Sequence, residues 1–197
     1  MTKVLILAST SPRRQQLLRE AGIAIEVRPS HIHEEHQPGE SPVEYVSRLA
    51  KEKAETVASE IQSQSDSKNR SVFVLGADTT VIVDAEILEK PRDAADARRM
   101  LRLLSGRAHA VTTAVSLARP HDGTITRAAT TLVFFREISE QEIDDYIAGG
   151  EPMDKAGAYA IQGGAGQWVE KIEGEYSNVV GLPLLLVTEM LREAGFL

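Results

Sequence analysis

The stretch Val4-Leu5-Ile6-Leu7-Ala8-Ser9-Thr10-Ser11-Pro12-Arg13-Arg14 passes from an unbroken apolar run into a polar loop and then a helix start. A continuous β-favouring run without alternation is expected of a strand covered on both faces, as in parallel sheets flanked by helices. Ser11 can cap the following helix with Pro12 at its first position. Leu17, Leu18 and Ala21 then give it an apolar face, and Gly22 a stop. Strand, loop and helix in this order predict an α/β protein. Ile23 to Val27 reads as a second short strand, and 29–38 as a polar loop rich in His and Glu. Ser41-Pro42-Val43-Glu44 is a capping box opening a long helix, with Val43, Val46, Ala50, Val57 and Ile61 at helical spacing. Residues 62–70 carry almost no apolar content and read as a solvated connection. A second wholly apolar strand, Val72 to Leu75, ends in Gly76-Ala77-Asp78-Thr79-Thr80; strand character resumes at Val81-Ile82-Val83 and meets a turn at Asp84-Ala85-Glu86.

Further along, Asp93 can cap a helix with Ala97, Met100, Leu101 and Leu104 on one face and Gly106 past its end. The β-rich segments 109–118 and 128–135 flank His121-Asp122-Gly123, the signature of an antiparallel hairpin. Ser139 and Glu142 form another capping box, for a helix ending at Gly149-Gly150. Glycines then separate short β-like pieces as far as Gly181, and a last helix runs from Pro183 to Ala194 before Gly195. No repeat interrupts this order, so residues 1–197 are expected to form one domain, with room for two small lobes.

Composition narrows the partners. The chain has 22 Lys and Arg against 29 Asp and Glu, a net charge of −7, which repels a nucleic-acid backbone unless the basic residues are gathered in one place. The absence of cysteine removes disulfides, thiol nucleophiles and Cys-ligated zinc. The apolar run at the start is far below the roughly 18 to 20 residues of a membrane span, and it has no signal-peptide cleavage pattern. The expectation is a cytoplasmic protein that binds neither nucleic acid nor membrane.

Chemistry concentrates in the first loop. Arg13 and Arg14 lie in the first turn of a helix, where the dipole already presents positive charge. A bound anion would reverse that penalty, with backbone N–H groups, the Ser9, Thr10 and Ser11 hydroxyls and a forked guanidinium directed at it. A solvated arginine pair after an ordinary helix start is the alternative. Asp78 follows a buried strand, at the C-terminal edge where open α/β sheets place their ligands; a carboxylate capping a turn to Thr80 is the competing reading. Lys53 falls on an apolar stripe, so it either extends to solvent or reaches a charged partner. Glu34 and Glu35 stand among His31, His33 and His36. Hard oxygen donors such as Glu34 and Asp78 suit Mg²⁺ or Mn²⁺ beside a phosphate better than this His-x-His spacing suits zinc. In the glycine-rich tract, Asp154-Lys155 and Gln162 could address a base or ribose, without a Walker or Rossmann pattern. Trp168 reads as packing.

Taken together, these segments resemble the Maf family of nucleotide pyrophosphatases over nearly the whole chain. The matching pieces are Leu7 to Arg14, Glu34 before Gln37-Pro38, Arg48 to Ala54, Gly76 to Thr79 and Glu89-Lys90-Pro91. Leu104-Ser105-Gly106, Asp154 to Gly163 and Val180 to Pro183 complete the set. The resemblance implies an elongated, two-lobed α/β fold akin to the inosine-triphosphate pyrophosphatases, with a mixed β-sheet and a central cleft. It implies hydrolysis of a nucleoside triphosphate to monophosphate and pyrophosphate with a divalent cation, and a homodimer. Asp78 corresponds to the family's proton acceptor and, with Glu34, would hold the metal. A physical mechanism fits these residues: Arg13, Arg14, Lys53 and Lys90 would neutralise charge on the phosphates, with Ser9 also binding the substrate. Arg13, Thr79 and Gln162 match the branch acting on dTTP and UTP rather than the branch acting on methylated GTP. One position departs: the residue before Glu34, commonly acidic in the family, is His33.

Two rival functions remain at this level. One is a non-catalytic nucleotide-binding regulator of septum formation, since Maf-like proteins are associated with arrest of cell division. The other is a purine triphosphate pyrophosphatase of the inosine type.

Overall fold

The computed structural model describes residues 2–63, 70–120 and 122–197. It is an α/β protein with one mixed seven-stranded sheet. The strands are β1 (Thr2–Leu7), β2 (Ile25–Val27), β3 (Arg70–Val83), β4 (Glu86–Leu88), β5 (Ala108–Arg119), β6 (Gly123–Phe135) and β7 (Val169–Glu173), in spatial order β2-β1-β3-β5-β6-β7 with β4 paired to β3. β1 pairs parallel with both β2 and β3, whereas β3–β4 and β6–β7 are antiparallel. In the expected hairpin, Thr112 hydrogen-bonds Thr130 and Ser116 hydrogen-bonds Thr126, the falling register of an antiparallel pair. The helices are α1 (Pro12–Glu20), α2 (Pro42–Ser63), α3 (Ala94–Leu104), α4 (Glu140–Ala148), α5 (Tyr176–Val180) and α6 (Leu184–Glu193).

The chain divides into two compact units. The first comprises residues 1–78, 113–129 and 181–197; the second comprises 79–112 and 130–180. In the first unit, α2 lays Ala54, Val57, Ala58 and Ile61 against Ile6, Ala8, Val74 and Ala118. The helix is held at its start by the predicted capping box, in which the Ser41 backbone N–H donates to Glu44 at 2.9 Å. In the second unit, Phe135, Tyr159 and Trp168 pack edge to face with His109 beside them. Trp168 is therefore core, as its sequence context indicates. Burial pulls the His109 imidazole down to about 4, so it is neutral where its Nε2 meets the Tyr159 hydroxyl at 2.8 Å.

Several sequence expectations change. β3 is one continuous strand of 14 residues, where the sequence predicts a strand ending in 76–80 and strand character resuming at 81–83. Asp78 thus lies inside a strand and not at its C-terminal edge. The β1–β3 pairing does end at Leu7 opposite Leu75, so Asp78 stands just beyond the carboxyl end of β1. The glycine-rich tract folds mainly as 3₁₀ turns, Glu151–Asp154, Ala156–Ala158 and Gly164–Trp168, with β7 its one strand. β2 begins at Ile25, two residues later than expected, and Ala21 is the exposed cap of α1, not part of its buried face. Of the surface connection expected over 62–70, residues 64–69 lie outside the described residues, as does His121 at the hairpin tip; α2 itself runs through Ser63. Among the described residues, no helix is long and apolar enough to cross a membrane.

Candidate active site

The first unit gathers five residues that are distant in sequence: Ser9, Arg14, Glu34, Lys53 and Asp78. Lys53 sits on the buried face of α2, seven residues after Val46 and four before Val57, and is only 7% exposed. Its stem lies along apolar surface while its ammonium reaches Asp78 Oδ1 at 2.6 Å and Glu34 Oε1 at 2.6 Å. Of the two outcomes open from sequence, Lys53 takes the charged partner. Two contacts leave one of its three N–H donors for a further acceptor.

Asp78 is itself buried, at 9% exposure. Burial raises its carboxyl above the ordinary aspartate range, and Glu34 adds to this, while Lys53 and Arg14 act in the opposite direction. A carboxylate made more basic in this way is better matched to taking a proton near neutral pH than a solvated one.

Arg14 is held within the protein. Its guanidinium points inward: Nε donates to Gly181 O at 2.8 Å, and one terminal nitrogen donates to Ala77 O at 2.8 Å and to Ser9 Oγ at 3.3 Å. It thereby fastens the end of α1 to the residue preceding Asp78 and to a glycine 167 positions away. It is a clamp under the site, contributing positive charge close to Asp78 and fixed geometry. Gly181 has φ +127, a conformation that favours glycine and turns its carbonyl into this arrangement. In the sequence Gly181 reads as the end of the glycine tract and as part of a matching segment; nothing in its neighbours points to an arginine acceptor.

Ser9 Oγ accepts from both Arg14 and the Ser11 backbone N–H, at 3.3 and 3.2 Å, which leaves its own hydrogen to donate. Ser11 caps α1 as predicted, accepting from the Arg14 N–H at 3.4 Å. Arg13 is half-buried in that first turn. Pro12 has no N–H and the Arg14 N–H is taken by Ser11, so the helix start offers the Arg13 N–H and the Ser9 hydroxyl, groups suited to an anion.

Glu34 and Asp78 are oxygen donors of the kind a hard divalent cation takes, and in this structure the Lys53 ammonium occupies the point where they meet, 2.6 Å from each. Among the described residues no group of three or more His, Asp or Glu could hold a metal ion. Two carboxylates with the remaining coordination from phosphate and water is the usual arrangement for Mg²⁺. His33 is exposed and faces Glu35 at 3.5 Å. His36 meets Glu40 O at 3.0 Å and packs its ring edge on Tyr45.

The remaining predicted residues belong to the second unit. Thr79 is half-buried in β3, Lys90 is exposed after β4, and Gln162 is exposed in the turn before Gly163. Sequence reasoning passed over Tyr146 and Glu151, which bond to the backbone on either side of Gln162. Tyr146 Oη accepts from the Ala160 N–H at 3.1 Å, and Glu151 Oε2 accepts from the Gly164 N–H at 3.2 Å.

Comparison with known proteins agrees with the pattern of residues. The model of the family described as Maf-like protein matches residues 4–194. A dTTP/UTP pyrophosphatase from Koribacter versatilis is 53% identical over 193 residues, 98% of this chain and 95% of its own length. One from Citrifermentans bemidjiense is 52% identical, covering 98% and 96%, and one from Anaeromyxobacter dehalogenans is 48% identical, covering 100% and 96%. A solved nucleoside-triphosphatase / dITP/XTP pyrophosphatase from Mycobacterium abscessus is a distant likeness, 16% identical over 68% of this chain and 73% of its own, with a TM-score of 0.42. With its loop, its paired carboxylates and its glycine tract all inside the matched span, this chain belongs to the Maf family.

Proposed function

We propose that this chain is a nucleoside triphosphate pyrophosphatase acting on dTTP and UTP, releasing the monophosphate and pyrophosphate. The observation that carries the reading is the buried Lys53 ammonium held between Asp78 and Glu34. A cation and a carboxylate, Lys53 and Asp78, buried at one point with the more exposed Glu34 closing on the ammonium, are expensive to maintain, and that expense is ordinary where the groups act on a substrate. Relatives that match nearly the whole chain at about half identity carry the name dTTP/UTP pyrophosphatase, which supports this substrate class.

In this reading, Ser9 and Arg13 hold phosphate oxygens at the start of α1, and the third Lys53 donor reaches another. Arg14 keeps Ala77 and Gly181 fixed beneath them. Asp78 accepts the proton of a water that attacks the α-phosphorus; the α–β anhydride bond breaks and its electron pair leaves with pyrophosphate. Mg²⁺ or Mn²⁺ bound by Asp78 and Glu34 would supply Lewis-acid stabilisation of phosphate charge. Lys90 would neutralise phosphate charge, and Thr79 and Gln162, which match the dTTP/UTP branch, would meet the pyrimidine edge, where a hydroxyl and an amide can each donate and accept. A cytoplasmic role in clearing nucleotide pools, possession of a homodimer and a link to division control belong to the same proposal.

A panel of dTTP, UTP, dCTP, ATP, GTP and ITP with Mg²⁺ or Mn²⁺, scored by pyrophosphate release, tests it. Release is expected to be fastest with dTTP and UTP. Preferred turnover of ITP would move the protein to the purine class, and binding without release would make it a regulator.

A further inference from the structure

Gln162 is exposed in a turn rich in glycine, where an amide reading a base edge would be poorly fixed by the backbone alone. Two side chains outside that turn restrain it from both ends. The Tyr146 hydroxyl accepts from the Ala160 N–H at 3.1 Å and donates to Glu151 Oε1 at 2.8 Å; the second Glu151 oxygen accepts from the Gly164 N–H at 3.2 Å. The path from Ala160 through Tyr146 and Glu151 to Gly164 therefore closes a ring around Ile161, Gln162 and Gly163.

The ring is anchored. Tyr146 lies on the buried face of α4, and its aromatic ring packs edge to face on the fully buried Trp168 with centroids 4.9 Å apart. Burial, with Glu151 beside it, holds the phenol well above its ordinary pKa, so it remains a donor to the carboxylate. Space is matched as well. A Cβ at Gly163 would lie 1.8 Å from Glu151 Oε1 and 2.5 Å from its carboxyl carbon, so the carboxylate occupies the place of a side chain at 163. Gly163 has an ordinary negative φ of −106, which leaves the approach of Glu151 as the reason for glycine there.

We infer that Tyr146 and Glu151 are positioning residues for base selectivity, forming a brace that holds the Gln162 turn in the conformation that reads the pyrimidine. This deepens the proposed function and rests on Gln162 contacting the base. An amide already held in place binds with less ordering cost, so the brace acts on substrate affinity and discrimination and not on the chemical step.

The test measures kcat and KM for dTTP, UTP and GTP in the full chain carrying Tyr146→Phe, Glu151→Gln, Gln162→Ala, and Tyr146→Phe with Gln162→Ala. Tyr146→Phe keeps the ring on Trp168, and Glu151→Gln supplies a second disruption should either variant fold poorly. Each brace variant is expected to raise KM for dTTP and UTP about tenfold, the scale of one lost ordering contact, with kcat within about twofold. The preference over GTP should narrow by a similar factor. Gln162→Ala should raise KM at least as much, and the double variant should match Gln162→Ala alone, because the brace acts only through that side chain. If Gln162→Ala raises KM while both brace variants leave KM and selectivity unchanged, the brace is wrong and the base contact stands. If the double variant is additive, the two act separately and the inference is overturned. An unchanged KM in Gln162→Ala removes the base contact itself, and the inference with it.

Discussion

Asp78 and Arg14 show how one side chain's surroundings decide its use. Asp78 is buried, hydrogen-bonded to Lys53 and close to Arg14, and burial still raises its carboxyl above the ordinary range. Asparagine has the same shape and can still accept from Lys53, which keeps Glu34 as its ionic partner. Asp78→Asn should therefore retain its fold, seen as an unfolding midpoint close to that of the parent, while turnover falls by about a thousandfold, the scale of losing a general base. Near-normal turnover in a folded Asp78→Asn would remove Asp78 as the base. Arg14 was legible as a basic residue in a helix start, but its direction was not. An arginine beside a loop of hydroxyls reads as an anion ligand, and only the fold brings Gly181 O and Ala77 O within reach of the guanidinium.

At the scale of elements, the pairing of α2 with β3 brings Lys53 to Asp78, and it depends on Gly76. A Cβ at Gly76 would lie 2.2 Å from Ala50 O and 2.8 Å from Ala54 N, both of them backbone atoms of α2. Helix and strand therefore touch at their main chains, one residue from Lys53 and two from Asp78. Gly76→Ala must push the helix away. It should cost about 1–3 kcal/mol of stability, as overpacking generally does, and lower turnover per folded molecule because the Lys53–Asp78 pair is stretched. Urea unfolding read beside kcat checks both effects; an unaltered midpoint would show that the contact is loose.

The same contact explains why β3 runs on through 76–80. Gly, Ala, Asp and Thr in succession resemble a turn, but here Gly76 and Ala77 are small because α2 lies on them, and Asp78 is tolerated because Lys53 pairs with it. Those causes are long-range and leave no local trace. The Ser41 and Ser139 capping boxes, by contrast, act within four residues and were readable directly. In the glycine tract, glycine reads as turn in any fold, so the 3₁₀ segments and the brace around Gln162 could not be separated from strand pieces.

At the scale of the whole molecule, a net charge of −7 gives no hint of a buried lysine and arginine beside one aspartate. The charge that matters is distributed through positions 13, 14 and 53, which the fold of the first unit assembles. The order of those segments made the Maf family legible, because few chains combine the loop, the Lys53 helix segment and the Gly76–Thr79 segment in sequence. The central claim is chemical: water attacks the α-phosphorus of a pyrimidine nucleoside triphosphate. Hydrolysis of dTTP with Mg²⁺ or Mn²⁺ in heavy-oxygen water, followed by mass spectrometry of the products, tests it most directly. Attack at the α-phosphorus places one heavy oxygen in dTMP and leaves pyrophosphate unlabelled; label in the pyrophosphate, release of orthophosphate, or no hydrolysis of dTTP would contradict it.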